Sequence, residues 1–205
     1  WITLDSANFE KGKNKVGFTA LTNEDDERSA VILVKMGAEN EREVLVVQET
    51  GKAPVFYVKP DGTGDGKSWA NATDLNTALE KSTTNSIIYL AEGIYKPSKT
   101  IRNGDATNEA DKTFEIAKNV TLIGGYESNP TSGSTANPAI YKTIFDGQLS
   151  ASVNSYHTVT ITAAFDAESK VSISGIIIKG GNATNRGSNV TIADVRYNRG
   201  WGGGM

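Results

Sequence analysis

Short apolar runs recur along the whole chain, and almost none of them is long enough to form a helix. Several alternate apolar residues with Thr or Ser, and Gly, Asn or Asp stands at their ends, which is typical of short β-strands joined by tight corners. After residue 52 these runs lie at 56–58, 87–90, 120–123, 143–145, 159–161, 171–173, 176–178 and 190–192. The pattern predicts an all-β protein.

One segment departs from this pattern and predicts the single sizeable helix. Leu75, Ala78 and Leu79 recur at helical spacing, and either Thr73 or Asp74 is placed to cap the first turn. A narrow apolar stripe of this kind packs against a neighbouring element. We expect the helix to cover the N-terminal end of a stack of strands, where strand edges and apolar side chains would otherwise be exposed.

The spacing between the runs indicates that the later strands form a coil. Val159 and Val190 are 31 positions apart, and Ile144 and Ile176 are 32 apart, which are repeat lengths typical of solenoids. Glycine pairs adjoin several of the runs, at 124–125, 180–181 and 203–204. Such pairs suit corners that need a positive φ or a close backbone approach. We therefore predict a parallel β-helix rather than a second sandwich.

The first part of the chain has a different composition. Residues 1–52 carry 10 acidic and 7 basic residues, whereas the remainder carries 14 of each. Polar connections separate its β-branched runs, at 16–20, 30–34 and 44–47, as expected for an antiparallel β-sandwich. The charged stretch 23–28 is interpreted as a solvated loop, with a calcium site as the alternative. We predict a sandwich over 1–52 and a β-helix over 53–205.

Composition excludes several classes of protein. The formal net charge of -3 leaves no basic excess for nucleic acid. Cys is absent and His157 is the single His, which excludes disulfides, thiol nucleophiles and Cys/His metal clusters. No apolar run has the length of a membrane span. Trp1 begins a run typical of a strand, so we expect any signal peptide to have been removed or to lie upstream. Because the sequence stops within a glycine-rich pattern, we expect it to be a piece of a longer exported protein.

Four features of the first part form a set: Trp1-Ile2-Thr3, Asn23, Arg28 leading into 29–34, and Val44 to Gln48. Together they resemble the BACON module of Bacteroidetes proteins. The resemblance implies an immunoglobulin-like sandwich, incomplete at its N-terminus, upstream of carbohydrate-active or surface domains. The family name proposes carbohydrate binding, and a spacer role is the alternative. Trp1 is interpreted as a core residue at a strand edge rather than a sugar-stacking platform.

The second part opens with 56–66, the helix with Leu75 and Ala78, and 88–95, which together resemble the first coil of right-handed β-helix proteins of the pectate-lyase-like superfamily. A further set of segments lies at 114–116, 120–126, 143–147, 154–159, 176–183 and 202–205. It resembles the passenger region of polymorphic-outer-membrane-protein-like surface proteins. These resemblances imply a right-handed parallel β-helix with one N-terminal capping helix, incomplete at its C-terminus.

No catalytic constellation is recognisable in the sequence. Pectate-lyase-like enzymes combine a Lys or Arg base with calcium-bound carboxylates, and that combination is missing here. Asp61, Thr63 and Asp65 resemble the start of a calcium loop, but the twelfth position from Asp61 is Ala72 rather than a bidentate Glu, which favours a plain turn. His157 has no second His or evident carboxylate partner and is interpreted as structural. We predict no catalytic residue, metal site or cofactor.

Basic residues accumulate near the end of the chain, at Lys170, Lys179, Arg186, Arg196 and Arg199. Cations and aromatic rings that lie close together suit sugar binding, above all of acidic glycans. We therefore predict four carbohydrate-binding residues: Arg196, Tyr197, Arg199 and Trp201. The alternative is a solvated loop ahead of the next coil.

The combined expectation is an exported cell-surface or secreted protein of adhesin type, on the outer-membrane surface or outside a Gram-negative bacterium. Its partner would be a polysaccharide or host glycan, and this part would not be catalytic. Two alternatives remain open. One is a polysaccharide lyase or glycoside hydrolase with catalytic coils beyond Met205, and the other is a structural spacer. The sequence specifies neither the glycan nor the oligomeric state.

Overall fold

A computed structural model describes residues 1–10, 13–23, 27–35, 41–48, 52–164 and 170–204. The chain divides into two compact units, unit 1 (residues 1–53) and unit 2 (residues 54–205). Nearly all regular structure is β-strand, and the described residues contain a single α-helix. The prediction of an all-β protein is therefore confirmed.

Unit 1 consists of two antiparallel hairpins. The first pairs β1 (Ile2–Glu10) with β2 (Lys13–Ala20), and the second pairs β3 (Arg28–Lys35) with β4 (Glu41–Gln48). All three β-branched runs predicted as strands fall within β2, β3 and β4. Half of the charged stretch predicted as a solvated loop or calcium site, residues 24–26, lies outside the described residues.

Arg28 joins the two hairpins of unit 1. Its guanidinium donates to the carbonyl oxygens of Leu21 and Thr22, at 2.7 and 3.1 Å, and to the side chain of Gln48 at 2.9 Å. The same group lies 4.7 Å above the ring centroid of Trp1. This cation–π contact holds the Trp1 ring, which is half-buried rather than part of a core as the sequence analysis expects.

Unit 2 is built mainly from parallel sheets. The strands among its described residues are β5 (Val55–Val58), β6 (Ile87–Ala91), β7 (Gly93–Tyr95), β8 (Phe114–Ile116), β9 (Thr121–Tyr126), β10 (Thr143–Asp146), β11 (Val159–Ile161), β12 (Ser172–Ser174), β13 (Ile176–Lys179), β14 (Asn189–Ile192) and β15 (Val195–Asn198). Three parallel sheets have the orders β12-β9-β6-β5, β13-β10-β7 and β11-β8. Within each sheet the strands follow one another in chain order, so later segments are laid beside earlier ones.

The core of unit 2 comes from the alternation of side chains along these short strands. In β6, Ile88 and Leu90 are fully buried, whereas Tyr89 between them is half-buried on the other face. Leu122 on β9 and Phe145 on β10 extend the same buried layer, so strands of different sheets share one interior. All four residues from Ile87 to Leu90 are apolar, so the sequence predicts the strand and the structure shows which face points inward.

The helix α1 (Leu75–Lys81) begins where the sequence places it. The Asp74 side chain caps it by accepting from the Thr77 backbone amide at 3.0 Å. Leu75, Ala78 and Leu79 are buried, and the helix packs against β5 and β8. Since β5 is the first strand of the four-stranded sheet, the apolar stripe meets the part of the core that the sequence predicts.

Two glycine positions show why corners between the sheets require this residue. Gly124 lies so close to Gly175 that a Cβ on it would approach the Gly175 carbonyl oxygen to 2.6 Å. Gly180 has a φ of 78°, in the left-handed region that disfavours residues with a Cβ. The predicted need for close approach and positive φ at the glycine pairs is confirmed here.

One predicted repeat is wrong in its pairing. The Val159–Val190 offset suggested that 190–192 stacks on 159–161, but β14 instead forms an antiparallel hairpin with β15. The next contact of β11 comes from residue 204, because the Val159 amide donates to the Gly204 carbonyl at 3.3 Å. The hairpin is therefore an insertion that does not pair with the stacked strands. Alternation of apolar residues predicts a strand but not its partner.

Candidate functional site

The hairpin β14–β15 carries two of the four predicted carbohydrate-binding residues. A two-residue turn joins its strands, and both turn residues, Ala193 and Asp194, have positive φ, as the twist of a tight hairpin requires. Arg196 and Tyr197 lie on β15, and Trp201 follows a few residues later. The inner face of the hairpin packs on a small apolar cluster that includes Ile101.

An open groove of about 570 Å³ lies between this hairpin and β11. We call it the hairpin groove. Its walls combine apolar side chains of β11 with polar and aromatic side chains of the hairpin, namely His157, Val159, Thr160, Ile161, Asn189, Arg196, Tyr197, Asn198 and Trp201. Three of the four predicted residues are thus brought together in one concave surface.

Arg196 and Trp201 are the exposed residues among those that line the hairpin groove. Arg196 is exposed and forms no ion pair with any residue that the structure describes. The side chain of Trp201 is 75% exposed, an unusual state for so large an apolar surface. A free guanidinium beside an open indole ring offers one charged and one stacking contact to a ligand.

Tyr197 is half-buried, whereas Arg196 and Trp201 are exposed. It packs against Val190 and Ile192 on the neighbouring strand and against Ile101. Burial raises the pKa of its hydroxyl, an effect that nearby Arg102 opposes and Glu115 reinforces. Tyr197 therefore lines the hairpin groove with a hydroxyl that is neutral at physiological pH.

Arg199 lies outside the hairpin groove and has another role. Its guanidinium donates to both carboxylate oxygens of Asp111, and also to Ser188 Oγ at 2.8 Å and the Asn189 carbonyl at 3.0 Å. The side chains of Arg199 and Asp111 are only 12% and 2% exposed. Hydrogen bonding to Asp111 raises the pKa of Arg199, which favours the charged form of this guanidinium. The pair fastens the hairpin to the 3₁₀ turn Glu109–Asp111.

His157 ties the end of the hairpin to the stack. Its Nδ1 lies 2.8 Å from the Gly202 carbonyl oxygen, and its Nε2 lies 2.9 Å from that of Asn198. These contacts span both sides of Trp201 and so fix the segment that carries this ring. His157 is structural, as the sequence predicts, and it also lines the hairpin groove.

Acidic partners offset two of the five basic residues that the sequence analysis groups near the end of the chain. Lys179 pairs with Asp146 at 3.2 Å, and Arg199 pairs with Asp111. Both acids precede this segment by tens of positions, so a count of nearby residues does not detect them. Arg196 is the remaining cation of the set that lines the hairpin groove.

Asp61 and Asp65 belong to no cluster of metal ligands in the described part of the chain. Within the described ranges no group of three or more His, Cys, Asp or Glu side chains lies close enough to hold an ion. The Asp65 side chain accepts from the Lys67 amide at 3.0 Å, as in an ordinary Asx-turn. Asp61 lies on a different surface, which is described below.

Residues 1–49 match the model of one protein family, BACON, whose description is "Putative binding domain, N-terminal". This match supports the resemblance found in unit 1 and does not extend to the hairpin groove. No curated protein and no solved structure matches the chain significantly. Among the residues that the structure describes, no helix is both long and apolar enough to cross a membrane.

Proposed function

We propose that the chain is part of an exported surface protein of adhesin type, which binds an acidic polysaccharide in the hairpin groove. The observation that carries this proposal is the unpaired Arg196 beside the exposed ring of Trp201, within one concave surface. Neither residue serves the fold in an evident way, whereas both suit a ligand that is charged and has apolar ring faces.

The supporting scaffold is a right-handed parallel β-helix in this proposal. Three parallel sheets with strands in chain order, and a helix beside the first strand of one of them, support that interpretation. A stack of this kind holds its side chains rigidly. Rigid presentation lowers the entropy cost of binding, because little must be ordered when the ligand arrives.

The family match of unit 1 supports a role in binding. We place the protein on the outer membrane surface or outside a Gram-negative cell. Labelling of intact cells with an antibody against unit 2 tests this location, with a periplasmic protein as the negative control. Signal only after the outer membrane is permeabilised would contradict it.

Binding is tested by screening a glycan array and then titrating the best acidic oligosaccharide by calorimetry. We expect Arg196→Ala and Trp201→Ala each to weaken binding about tenfold, equivalent to about 1.4 kcal/mol. Arg42→Ala and Phe18→Ala are matched controls, because they remove an exposed guanidinium and an exposed aromatic ring from unit 1. Binding should also fall between low salt and roughly 0.15 M salt, where the screening length is about 8 Å.

Three results would overturn the proposal. They are binding that survives both groove substitutions, binding that only the unit 1 controls weaken, and no binding of any acidic glycan. Release of unsaturated or reducing sugar ends during the titration would instead support an enzyme of the lyase or hydrolase type.

A further inference from the structure

A second concave surface of unit 2 is formed by the loop that follows β5. It has a volume of about 510 Å³ and is lined by Lys59 to Gly64, Trp69 to Ala72, Glu92 and Ser128. We call it the Trp69 bowl. None of its residues lines the hairpin groove. Any ligand of the bowl would therefore bind independently of Arg196 and Trp201.

Trp69 belongs to an aromatic cluster with three tyrosine rings, two of which contact it directly. Its ring centroid lies 4.9 Å from that of Tyr57 and 5.1 Å from that of Tyr126. Tyr89 completes the cluster, with centroids 5.7 Å from Tyr57 and 5.3 Å from Tyr126. Tilted and edge-to-face pairs at such distances are favourable, so the orientation of Trp69 is set before any ligand arrives.

The indole N–H of Trp69 is available to a ligand. It donates to no residue that the structure describes. Only two described side-chain polar atoms are sealed from solvent without a partner, Asn119 Oδ1 and Ser155 Oγ, so the indole nitrogen keeps some contact with solvent. Because the residue as a whole is 6% exposed, Trp69 offers the bowl a fixed donor and an apolar rim rather than an open stacking face.

Three polar side chains around Trp69 also lack partners. The side chains of Lys59, Asp61 and Asn71 form no hydrogen bond or ion pair within the described part of the chain. Their backbone, in contrast, is well fixed. The Gly64 amide donates to the Ala72 carbonyl at 2.8 Å, and the Gly66 amide donates to the Asn71 carbonyl at 2.7 Å. A fixed loop thus displays an ammonium, a carboxylate and a carboxamide on one surface.

The charges of the bowl disfavour an anionic ligand. Lys59 contributes one positive charge, whereas Asp61 and Glu92 contribute two negative charges. Glu92 Oε1 is used to accept from the Ser128 amide at 3.1 Å, but its charge remains. A slightly negative surface repels uronic acids and sulfated sugars, unlike the hairpin groove with its free guanidinium.

We propose that the Trp69 bowl is a binding site for a neutral saccharide. Sugar hydroxyls both donate and accept, and the bowl supplies donors from Trp69 and Lys59, acceptors from Asp61, and both kinds from Asn71. A buried aromatic rim beside a few polar groups is the usual composition of a small-ligand site. Since the bowl and its partners are already fixed, little ordering opposes binding.

The test uses fluorescence of Trp69 alone. The chain has three tryptophans, so Trp1→Phe and Trp201→Phe leave Trp69 as the reporter. This protein is titrated with cellohexaose, maltohexaose and mannohexaose as neutral probes, and with hexagalacturonate as the acidic probe. We expect a saturable change with at least one neutral probe and a much weaker one with the acidic probe.

Three substitutions then assign the binding groups. Asn71→Ala and Asp61→Ala should each weaken the neutral probe about tenfold. Trp69→Phe, followed by calorimetry in otherwise unchanged protein, should do the same because it removes the indole N–H. Asn182→Ala is the matched control, since it removes an exposed carboxamide far from the bowl in sequence. Unchanged thermal midpoints of all variants show that the fold is intact.

The proposal is overturned if no neutral probe gives a saturable change up to millimolar concentration, if hexagalacturonate binds better, or if Asn71→Ala and Asp61→Ala leave the affinity unchanged. None of these results bears on the hairpin groove, because Trp201 is already replaced in the reporter protein. Conversely, loss of acidic-glycan binding in Arg196→Ala says nothing about the Trp69 bowl. The tests of the two proposed sites are therefore independent of each other.

Discussion

Both units are built from β-strands, but they bury their apolar side chains to very different extents. Among the described side chains of unit 1, only Asn23 is buried, and it is polar. Large apolar side chains stand exposed on its hairpins, namely Leu4, Phe18, Leu21, Val31, Leu33, Val44, Leu45 and Val47. In unit 2, by contrast, one continuous core includes Val58, Leu75, Leu122 and Phe145.

The difference shows that strand pairing alone does not create a core. Each hairpin of unit 1 is a two-stranded sheet, and an isolated sheet of this size is only marginally stable in water. In unit 2 three parallel sheets share one interior, so a side chain on one sheet is covered by the others. Both proposed binding surfaces lie on unit 2, the unit that holds them rigid.

The largest expected effect is on the core beneath α1. Replacing both Leu75 and Leu79 by Asp buries unpaired carboxylates, and we expect a loss of about 4 kcal/mol or more in the unfolding free energy of unit 2. Urea denaturation followed by near-UV circular dichroism measures this loss. Lys81→Ala on the exposed side of the helix is the control. An unchanged midpoint in the double variant would refute the buried position of the helix.

Breaking the Arg199–Asp111 pair should be nearly as costly. Arg199→Ala leaves a buried carboxylate without its partner, which typically destabilises by about 3–5 kcal/mol. Arg196→Ala removes the same group from an exposed position and should change stability by less than about 0.5 kcal/mol. Thermal unfolding of both variants compares them directly.

A double variant sharpens this test. Replacing Asp111 as well as Arg199 by Ala should recover part of the lost stability, because no uncompensated charge then remains. If Arg196→Ala proves the more destabilising of the two single changes, the assignment of the structural and the binding arginine is reversed.

A smaller effect is expected at the N-cap of α1. Asp74→Ala should cost about 1 kcal/mol, and Asp74→Asn should cost less because Asn also caps helices well. Burial tends to raise the pKa of Asp74, but hydrogen bonds from Thr77 outweigh it and hold the pKa below its ordinary value.

The lowered pKa gives this contribution a defined pH dependence. The stability that Asp74 supplies is present above the ordinary carboxyl pKa, about 3.9, and is lost as the pH falls through the lower folded-state value. Asp74→Asn should therefore lose less stability than the wild type between pH 5 and pH 2. Parallel curves for the two proteins would contradict the shift.

The smallest effect is expected in unit 1. Leu45 is exposed, so Leu45→Ala should change the unfolding free energy by less than about 0.5 kcal/mol. Phe145→Ala in the core of unit 2 should cost about 3–5 kcal/mol by the same measurement. A large loss for Leu45→Ala would show that the apolar face of unit 1 is covered in solution, and would remove the contrast between the units.

Much of the fold follows from local sequence patterns. The apolar runs at 87–90 and 143–145 predict strands, and the spacing of Leu75, Ala78 and Leu79 predicts the helix. The inward faces are less predictable, because the polar Thr143 is buried whereas the apolar Ile144 beside it is half-buried. Pairing is less predictable. The hairpin β14–β15 depends on two residues with positive φ, and neither Ala193 nor Asp194 is glycine or asparagine, the residues that most strongly favour such a turn.

The residues of the two proposed sites also follow only in part from the sequence. Proximity in sequence groups Arg196, Tyr197, Arg199 and Trp201, and three of these line the hairpin groove. The separate role of Arg199 depends on Asp111, and no local pattern connects residues so far apart. The Trp69 bowl was missed for the same reason, because Trp69 meets Tyr126 only after the parallel strands are stacked. The Asp61 turn was noticed, but as a weak metal motif.

The span between Asp111 and Arg199 also bears on how the protein folds. The two residues are 88 positions apart, and the chain between them includes β8 to β15. Contacts of such separation form late, because the entropy of closing the long loop is recovered only after the intervening strands are ordered. The hairpin groove is thus completed near the end of folding. A partly folded chain therefore lacks the hairpin groove. Binding of a ligand there would indicate that the strands between Asp111 and Arg199 are ordered.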